Sequence, residues 1–349
     1  MKPVTVPFFI SHQGCPHTCV FCDQRTISGA NGTLPNVFQI RDKIDLWRST
    51  AGERPLEVAF FGGTFTALPE DIQAELLAPL QPFLENGTVN SVRISTRPDC
   101  IDADHVAWLS ERGVRTIELG VQSMDDAVLA ASGRGHFAAA SLNAIRIIKN
   151  AGLQAGAQLM PGLPKDTPLS SLASLEQVIS AGADFLRIYP TVVIRGTELA
   201  RRYTAGEFMP LSLERGVSLC KQLLQRAMQA DIPVIRIGLQ NEAGLNADSV
   251  LAGCRHPALG QLVRSQLYED LICNFVSSGD HATVYSHPAR LSDVVGTKRN
   301  NLRRQTERGV RMQVGVDDTL KKDELKVEMQ DKCTIYSIVK DLHYSIHEV

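Results

Sequence analysis

From residue 4 onward, short runs rich in apolar residues alternate with polar turns and with longer segments whose apolar positions recur at helical spacing. The strand-like runs are VTVPFFI (4–10), LEVAFF (56–61), SVRIST (91–96), VRTIELGV (114–121), LQAGAQLM (153–160) and DFLRIYP (184–190). Between them PEDIQAELLAPLQPFL (69–84), DADHVAWLSERG (102–113), FAAASLNAIRIIKNAG (137–152) and LSSLASLEQVISAG (169–182) have helical periodicity, and several end at a glycine suited to a C-terminal cap. Alternating strands and helices predict a parallel sheet with right-handed crossovers, curled by six units into an α/β fold, a partial (β/α)6 TIM-like barrel. The barrel is expected to span 1–240, with an α/β extension or cap over 241–349.

In such barrels the ligand-binding loops follow the C-terminal ends of the strands. Each predicted strand here is followed by such a loop: GCPHTCVFCDQ (14–24), GGTF (62–65), STRPD (95–99), GVQS (120–123), MPGLP (160–164) and YPTVV (189–193). Any one of them alone is ordinary turn punctuation. All six could face one cavity.

Composition narrows the field. The 349 residues suffice for one large barrel or two ordinary domains, and 36 Lys+Arg against 38 Asp+Glu announce no polyanion partner. No stretch approaches the roughly 20 uninterrupted apolar residues of a membrane span, and no basic segment leads into an apolar signal core. A cytoplasmic protein without a membrane partner is expected. Eight cysteines are too few for a disulfide framework in a chain this long, and three of them, Cys15, Cys19 and Cys22, crowd into eight residues. The scattered Cys100, Cys220, Cys254, Cys273 and Cys333 are expected to be buried thiols.

Three thiols in a loop admit several chemistries. A zinc knuckle would recruit His12 or His17 as a fourth ligand, and Cys19 with Cys22 alone has the spacing of a thioredoxin-like redox pair. Redox pairs need no third cysteine upstream, and zinc sites commonly join two separated ligand clusters. An iron-sulfur cubane accounts better for the odd number, because three thiolates hold three irons and leave the fourth open.

At these residues the sequence resembles the radical S-adenosylmethionine superfamily, whose signature is C-x3-C-x2-C, here Cys15, Cys19 and Cys22. The resemblance implies a [4Fe-4S] cluster bound to S-adenosyl-L-methionine, reductive cleavage to a 5'-deoxyadenosyl radical, and hydrogen abstraction from a substrate. It also implies an electron donor such as flavodoxin or ferredoxin. Phe21 matches the aromatic residue near the cofactor's adenine, and is also a candidate apolar plug beneath the loop. Gly62, Gly63 and Thr64 resemble the glycine motif whose backbone approaches the methionine amino group. IELGVQSMDDAVLAASGRGH (117–136) looks like a stretch of oxygen-independent coproporphyrinogen oxidases, which makes Gln122 and Arg134 candidate cofactor contacts. Those relatives carry acids where this chain has Ser95 and Gln158, which weakens a porphyrinogen substrate.

RISTRPD, IELGVQSM and the long run from Phe185 to Gln240 resemble the radical domain of the Elongator catalytic subunit and its shorter bacterial relatives, over roughly residues 5 to 300. In Elongator that domain acts on the wobble uridine of transfer RNA and is fused to an acetyltransferase. About 110 residues follow VIRIGLQ, without an evident acetyl-CoA loop, and no long basic segment precedes the barrel, so a short radical-domain homologue is expected. A tRNA-modifying enzyme is one alternative, an oxidoreductase acting on a small molecule another, and a non-catalytic zinc or iron-sulfur binding module a third. His256 could reach the cavity or stand at a helix entry, before an amphipathic helix. The run Lys298 to Arg311 holds six basic residues and one acid, and reads either as a solvated helix face or as a phosphate contact through Lys298, Arg299, Arg303 and Arg304.

Overall fold

A computed structural model of the chain describes residues 3–29, 33–239, 248–330 and 332–344. The predicted strands form as β1 (Val4–Phe9), β2 (Leu56–Phe61), β3 (Val89–Thr96), β4 (Val114–Gln122), β5 (Gln154–Leu159) and β6 (Phe185–Ile188). Then come β7 (Val192–Ile194), β8 (Val234–Ile237), β9 (Val250–Gly253), β10 (His281–Ser286), β11 (Arg311–Val316), β12 (Glu324–Met329) and β13 (Lys332–Ser337).

The main sheet is parallel throughout, in the order β1-β2-β3-β4-β5-β6-β8, and curls into a half-barrel. The expected six strands are present, and a seventh, β8, adds to the edge beyond β6. Central strands of such a sheet are buried on both faces, which explains the nearly continuous apolar run of β2. Each crossover helix buries one stripe. The helix Ala138–Asn150 buries Ala144, Ile145 and Ile148 against the sheet, and the chain reverses at Gly152 with φ 73°. The helix Pro168–Ser180 starts from a capping box between Thr167 and Ser170. A long helix between β1 and β2, Val37–Ala51, lies outside the sequence expectation.

Beyond β8, residues 240–247 of the expected polar loop lie outside the described residues. The helix Leu259–Phe275 is not amphipathic as expected: Leu259, Val263, Leu267, Tyr268, Leu271 and Ile272 are buried, together with Ser265 and Glu269. It packs between the barrel helix Leu213–Gln229 and the short helices Leu291–Val295 and Ile338–Asp341, which cover it on more than one side, and Phe275 at its end stacks on Tyr336 of β13; the four-stranded sheet of this region is ordered β11-β10-β12-β13. Lys221 pairs with Asp270 at 2.6 Å, and Gln225 donates to the carbonyls of Ile338 and Leu342. These contacts fasten the C-terminal region to the barrel's flank. Among the described residues no helix is long and apolar enough to cross a membrane.

Candidate active site

The loop after β1 is shaped by its own backbone. Gly14, at φ 71°, lies so close to the next loop that a Cβ there would meet the Thr64 carbonyl oxygen at 2.3 Å. Gln24 clamps the loop's two ends together. Its Oε1 accepts the backbone N–H of His12 and of Gly63, each at 2.6 Å, while its own N–H donates to His12 Nε2 at 2.8 Å. Sequence reasoning gave Gln24 no role, because a polar residue after the cysteines carries no periodic signal.

Cys15, Cys19 and Cys22 line one cavity of about 490 Å³ at the C-terminal ends of the strands, within the roughly 300–1,000 Å³ usual for small-molecule sites. Phe21, Gly62, Gly63, Thr64, Gln122 and Arg134 line it too, so the nine residues expected at the cluster and its cofactor all reach the same space. Cys19 is buried and Cys15 and Cys22 are half-buried. Burial, followed by the neighbouring Cys19 and Cys15, pushes the Cys22 thiol up to about 12. A proton held that firmly is one that a bound metal must displace.

Three thiols on the wall of one cavity are a donor set that suits an iron-sulfur cubane. A cubane takes each thiolate at a separate iron. His12, one of the two histidines available to a zinc site, already accepts the Gln24 N–H. His17 packs over Gly135, whose added Cβ would meet its ring at 2.5 Å.

Around the thiols the side chains are held from behind. Arg134, only 5% exposed, donates to Cys19 Sγ at 3.3 Å and to the Gly120 carbonyl. Arg97 is gripped by Asp99 through bonds of 2.9 and 2.8 Å and donates in turn to the Arg134 carbonyl. Thr64 stands 3.4 Å from Cys15 Sγ. Gln122 sits in the left-handed region at φ 69°, and its Oε1 accepts from Gln158 at 3.2 Å. Gln158 and Ser95, where acids occur in the coproporphyrinogen oxidases, both line the cavity.

The crowding at Gly63 has a source other than the expected cofactor contact. With φ 60°, an added Cβ would meet the carbonyl oxygens of Gln13 at 2.4 Å and Ile10 at 2.5 Å. What excludes a side chain is therefore the backbone of the cysteine loop itself. At Gly62 the nearest atom is Gln24 Oε1 at 3.3 Å.

Below the thiols a charged layer crosses the barrel interior. Arg93 bridges Glu57 at 2.9 Å and Glu118 at 2.7 Å, and Arg187 pairs with Glu118 at 2.9 Å while donating to the Tyr189 hydroxyl at 3.0 Å. Burial opposes the charge of Arg187, but Glu118 and Tyr189 hold its pKa above the ordinary value. Glu118, Arg187 and Tyr189 all line the cavity, which gives it a polar floor.

Other expectations resolve away from this site. His256 does not line the cavity; its Nδ1 accepts the Ala258 N–H at 3.1 Å, at the entry of the following helix. Of the five scattered cysteines only Cys220 and Cys254 are buried; Cys100 and Cys273 are half-buried and Cys333 is exposed, because it lies on the edge strand β13, whose first four residues are open on both faces. In the basic run, Arg304 pairs with Glu269 at 2.8 Å, Arg303 lies 3.7 Å from Glu307, and Arg308 donates to the Val276 carbonyl at 3.2 Å, while Lys298 and Arg299 are exposed.

The Radical SAM superfamily model matches residues 9–175, and the Radical_SAM C-terminal domain model matches 183–269, running across residue 240. The tRNA uridine(34) acetyltransferase of Methanocaldococcus infernus is 24% identical over 80% of this chain and 59% of its own length. Elongator complex protein 3 of Dictyostelium discoideum is 29% identical over 56% of this chain and 40% of its own length. This chain thus spans about half the length of those two relatives. The solved structure of archaeal Elp3 from Methanocaldococcus infernus superposes with a TM-score of 0.61 at 22% identity, over 76% of this chain and 63% of that one. Coproporphyrinogen III oxidase from Escherichia coli, a radical SAM enzyme, gives 0.50 at 19% identity, over 66% and 53%.

Proposed function

The chain belongs to the Radical SAM superfamily of enzymes, and on that premise we propose that Cys15, Cys19 and Cys22 hold a [4Fe-4S] cluster beside a bound S-adenosylmethionine. The observation that carries this reading is the convergence of the three thiols, the Gly62–Thr64 turn, Gln122 and Arg134 on one cavity. Bound there, the cluster and its cofactor supply reductive cleavage to methionine and a 5'-deoxyadenosyl radical that takes hydrogen from a substrate, given a one-electron reductant. The protein's part is placement and shielding. Arg134 puts a buried positive charge beside Cys19, which favours added electron density on a cluster held there. The Gly62–Gly63 turn gives the cofactor a backbone surface without side chains, and Gln122, oriented by Gln158, offers its amide to it. Phe21, 8% exposed, seals the loop from beneath. Glu118, Arg187 and Tyr189 form the polar surface that meets the substrate across the cavity.

The test is anaerobic reconstitution of the wild type and of each single Cys→Ala variant, read by iron and sulfide content and visible absorbance. Four irons per wild-type chain and loss of the chromophore in all three variants are expected. A Cys19→Ala protein with undiminished iron would overturn the assignment.

A second reading, that the substrate is a transfer RNA, is favoured by the relatives that carry the names tRNA uridine(34) acetyltransferase and Elongator complex protein 3. It predicts transfer RNA binding that weakens steeply with salt, since each neutralised phosphate adds to the slope. Absence of salt-dependent binding at low ionic strength would turn the search to small molecules.

A further inference from the structure

The floor of the cysteine-lined cavity carries a single phenol among the described residues, Tyr189, just past the end of β6. No tryptophan among them lines the cavity, and its only thiols are Cys15, Cys19 and Cys22. The backbone around Tyr189 is fixed to the end of β5: the Tyr189 N–H donates to the Leu159 carbonyl at 2.8 Å, and the Thr191 N–H to the Pro161 carbonyl at 2.9 Å.

The side chain is held at its tip as well. Arg187 Nη1 donates to the Tyr189 hydroxyl at 3.0 Å, while Nη2 and Nε of the same guanidinium each meet Glu118 at 2.9 Å. Glu118 is fixed in turn by Arg93 at 2.7 Å, and the Arg187 guanidinium lies over the Phe61 ring, 5.3 Å from its centroid. A guanidinium has donors only, so the Tyr189 oxygen spends a lone pair in this bond and keeps its own hydrogen. Tyr189 makes no other side-chain hydrogen bond among the described residues. A phenolic O–H bond is weaker than an aliphatic C–H bond, so a carbon radical formed in the cavity takes that hydrogen atom downhill. The O–H bond of water is too strong to supply it.

Resting on the cofactor chemistry proposed above, we propose that Tyr189 is a catalytic hydrogen-atom donor that quenches the carbon radical of the reaction. Its O–H bond breaks homolytically, the hydrogen forms a C–H bond at the radical carbon, and a neutral phenoxyl radical remains on Tyr189, still hydrogen-bonded to Arg187. One electron from the same low-potential reductant that the cofactor chemistry requires, and one proton from water, restore the phenol. The sum adds one electron and one proton to the carbon radical. The reaction served is therefore of the class that ends in a new C–H bond, not a desaturation, which would need an electron acceptor.

The test needs no substrate. Reconstituted full-length protein is given S-adenosylmethionine and dithionite in deuterium oxide, where the Tyr189 hydroxyl is O–D and is the donor offered to the 5'-deoxyadenosyl radical. Mass spectrometry should find one deuterium in at least half of the 5'-deoxyadenosine formed. Tyr189→Phe should lower that fraction at least fivefold, and Tyr203→Phe, outside the cavity and 38% exposed, should not change it. Freeze-quenched wild type should show a phenoxyl signal by electron paramagnetic resonance that narrows with ring-deuterated tyrosine and is missing from Tyr189→Phe. Iron content, and S-adenosylmethionine affinity by calorimetry, should be the same in wild type and Tyr189→Phe, which lacks one hydroxyl only. An equal deuterium fraction in wild type and Tyr189→Phe would overturn the proposal and leave Tyr189 as a structural acceptor for Arg187. Absence of any 5'-deoxyadenosine from wild type would overturn the cofactor reading, and this proposal with it; the amount of product reads the one and its isotope content the other.

Discussion

Nη1 of Arg134 lies 3.3 Å from Sγ of Cys19, although 115 residues separate the two in the chain. Behind it, Asp99 grips Arg97, and Arg97 holds the Arg134 carbonyl. The arrangement places a fixed cation against one ligand of the proposed cluster. Arg134→Met should lower the midpoint potential of the reconstituted cluster, because the reduced state loses a stabilising charge. A charge a few ångströms away is worth on the order of 1–3 kcal/mol, roughly 40–130 mV for a one-electron couple. Redox titration followed by electron paramagnetic resonance measures it, with Arg134→Lys as the charge-retaining control. An unchanged potential in Arg134→Met would mean that the guanidinium is a packing element only.

At Gly63 a side chain meets the cysteine loop before it meets anything in the cavity. Gly63→Val should therefore reduce iron and sulfide content on reconstitution. Gly62→Ala, where the nearest atom is the side-chain oxygen of Gln24 at 3.3 Å, should retain more cluster. Left-handed φ at both positions adds about 1 kcal/mol of strain to either change. A Gly63→Val protein with a full cluster and only weakened S-adenosylmethionine affinity would show that cofactor contact is the governing constraint.

Gln24→Leu removes the acceptor shared by the His12 and Gly63 N–H groups. Each buried donor left unpaired costs about 1–3 kcal/mol, which the loop loses locally. Cluster content should fall and its decay in air should accelerate, while the melting temperature of the barrel changes little. Equal cluster lifetimes in variant and wild type would contradict the clamp.

The sequence made the cysteines legible because their spacing is local, and the first six strands because apolar runs buried on both faces stand out from their flanks. β8 escaped notice: VIRI is short, and Ile235 is 41% exposed at the sheet edge. The layer Glu57, Arg93, Glu118 and Arg187 was illegible for a different reason. Charged residues alternating along a strand look solvent-facing, and only closure of the barrel turns that face inward. Gln24 and Arg97 act through backbone groups distant in sequence, for which no spacing rule exists. The basic run was read as one surface, whereas Arg304 and Arg308 are used within the fold.

Burial, reinforced by the charge of Arg134, pushes His136 from 6.5 down to about 4. Its folded state therefore resists protonation more than the unfolded chain does. The stability conferred by the neutral ring is complete above pH 6.5 and is lost as pH falls toward about 4, by up to ~3 kcal/mol. Denaturant midpoints of the reconstituted protein between pH 7 and 5 should decline, and His136→Gln should flatten that decline. An equal slope in the variant would assign the acid sensitivity to other groups.

The central claim is that this cavity cleaves S-adenosylmethionine through the Cys15, Cys19 and Cys22 site. Reconstituted protein, given dithionite and S-adenosylmethionine without air, should release methionine and 5'-deoxyadenosine in equal amounts, quantified by liquid chromatography. Cys19→Ala should release neither above background, and Cys273→Ala should match the wild type. Wild-type protein with a full four-iron cluster that forms no 5'-deoxyadenosine, or a Cys19→Ala variant that forms it at the wild-type rate, would contradict the account.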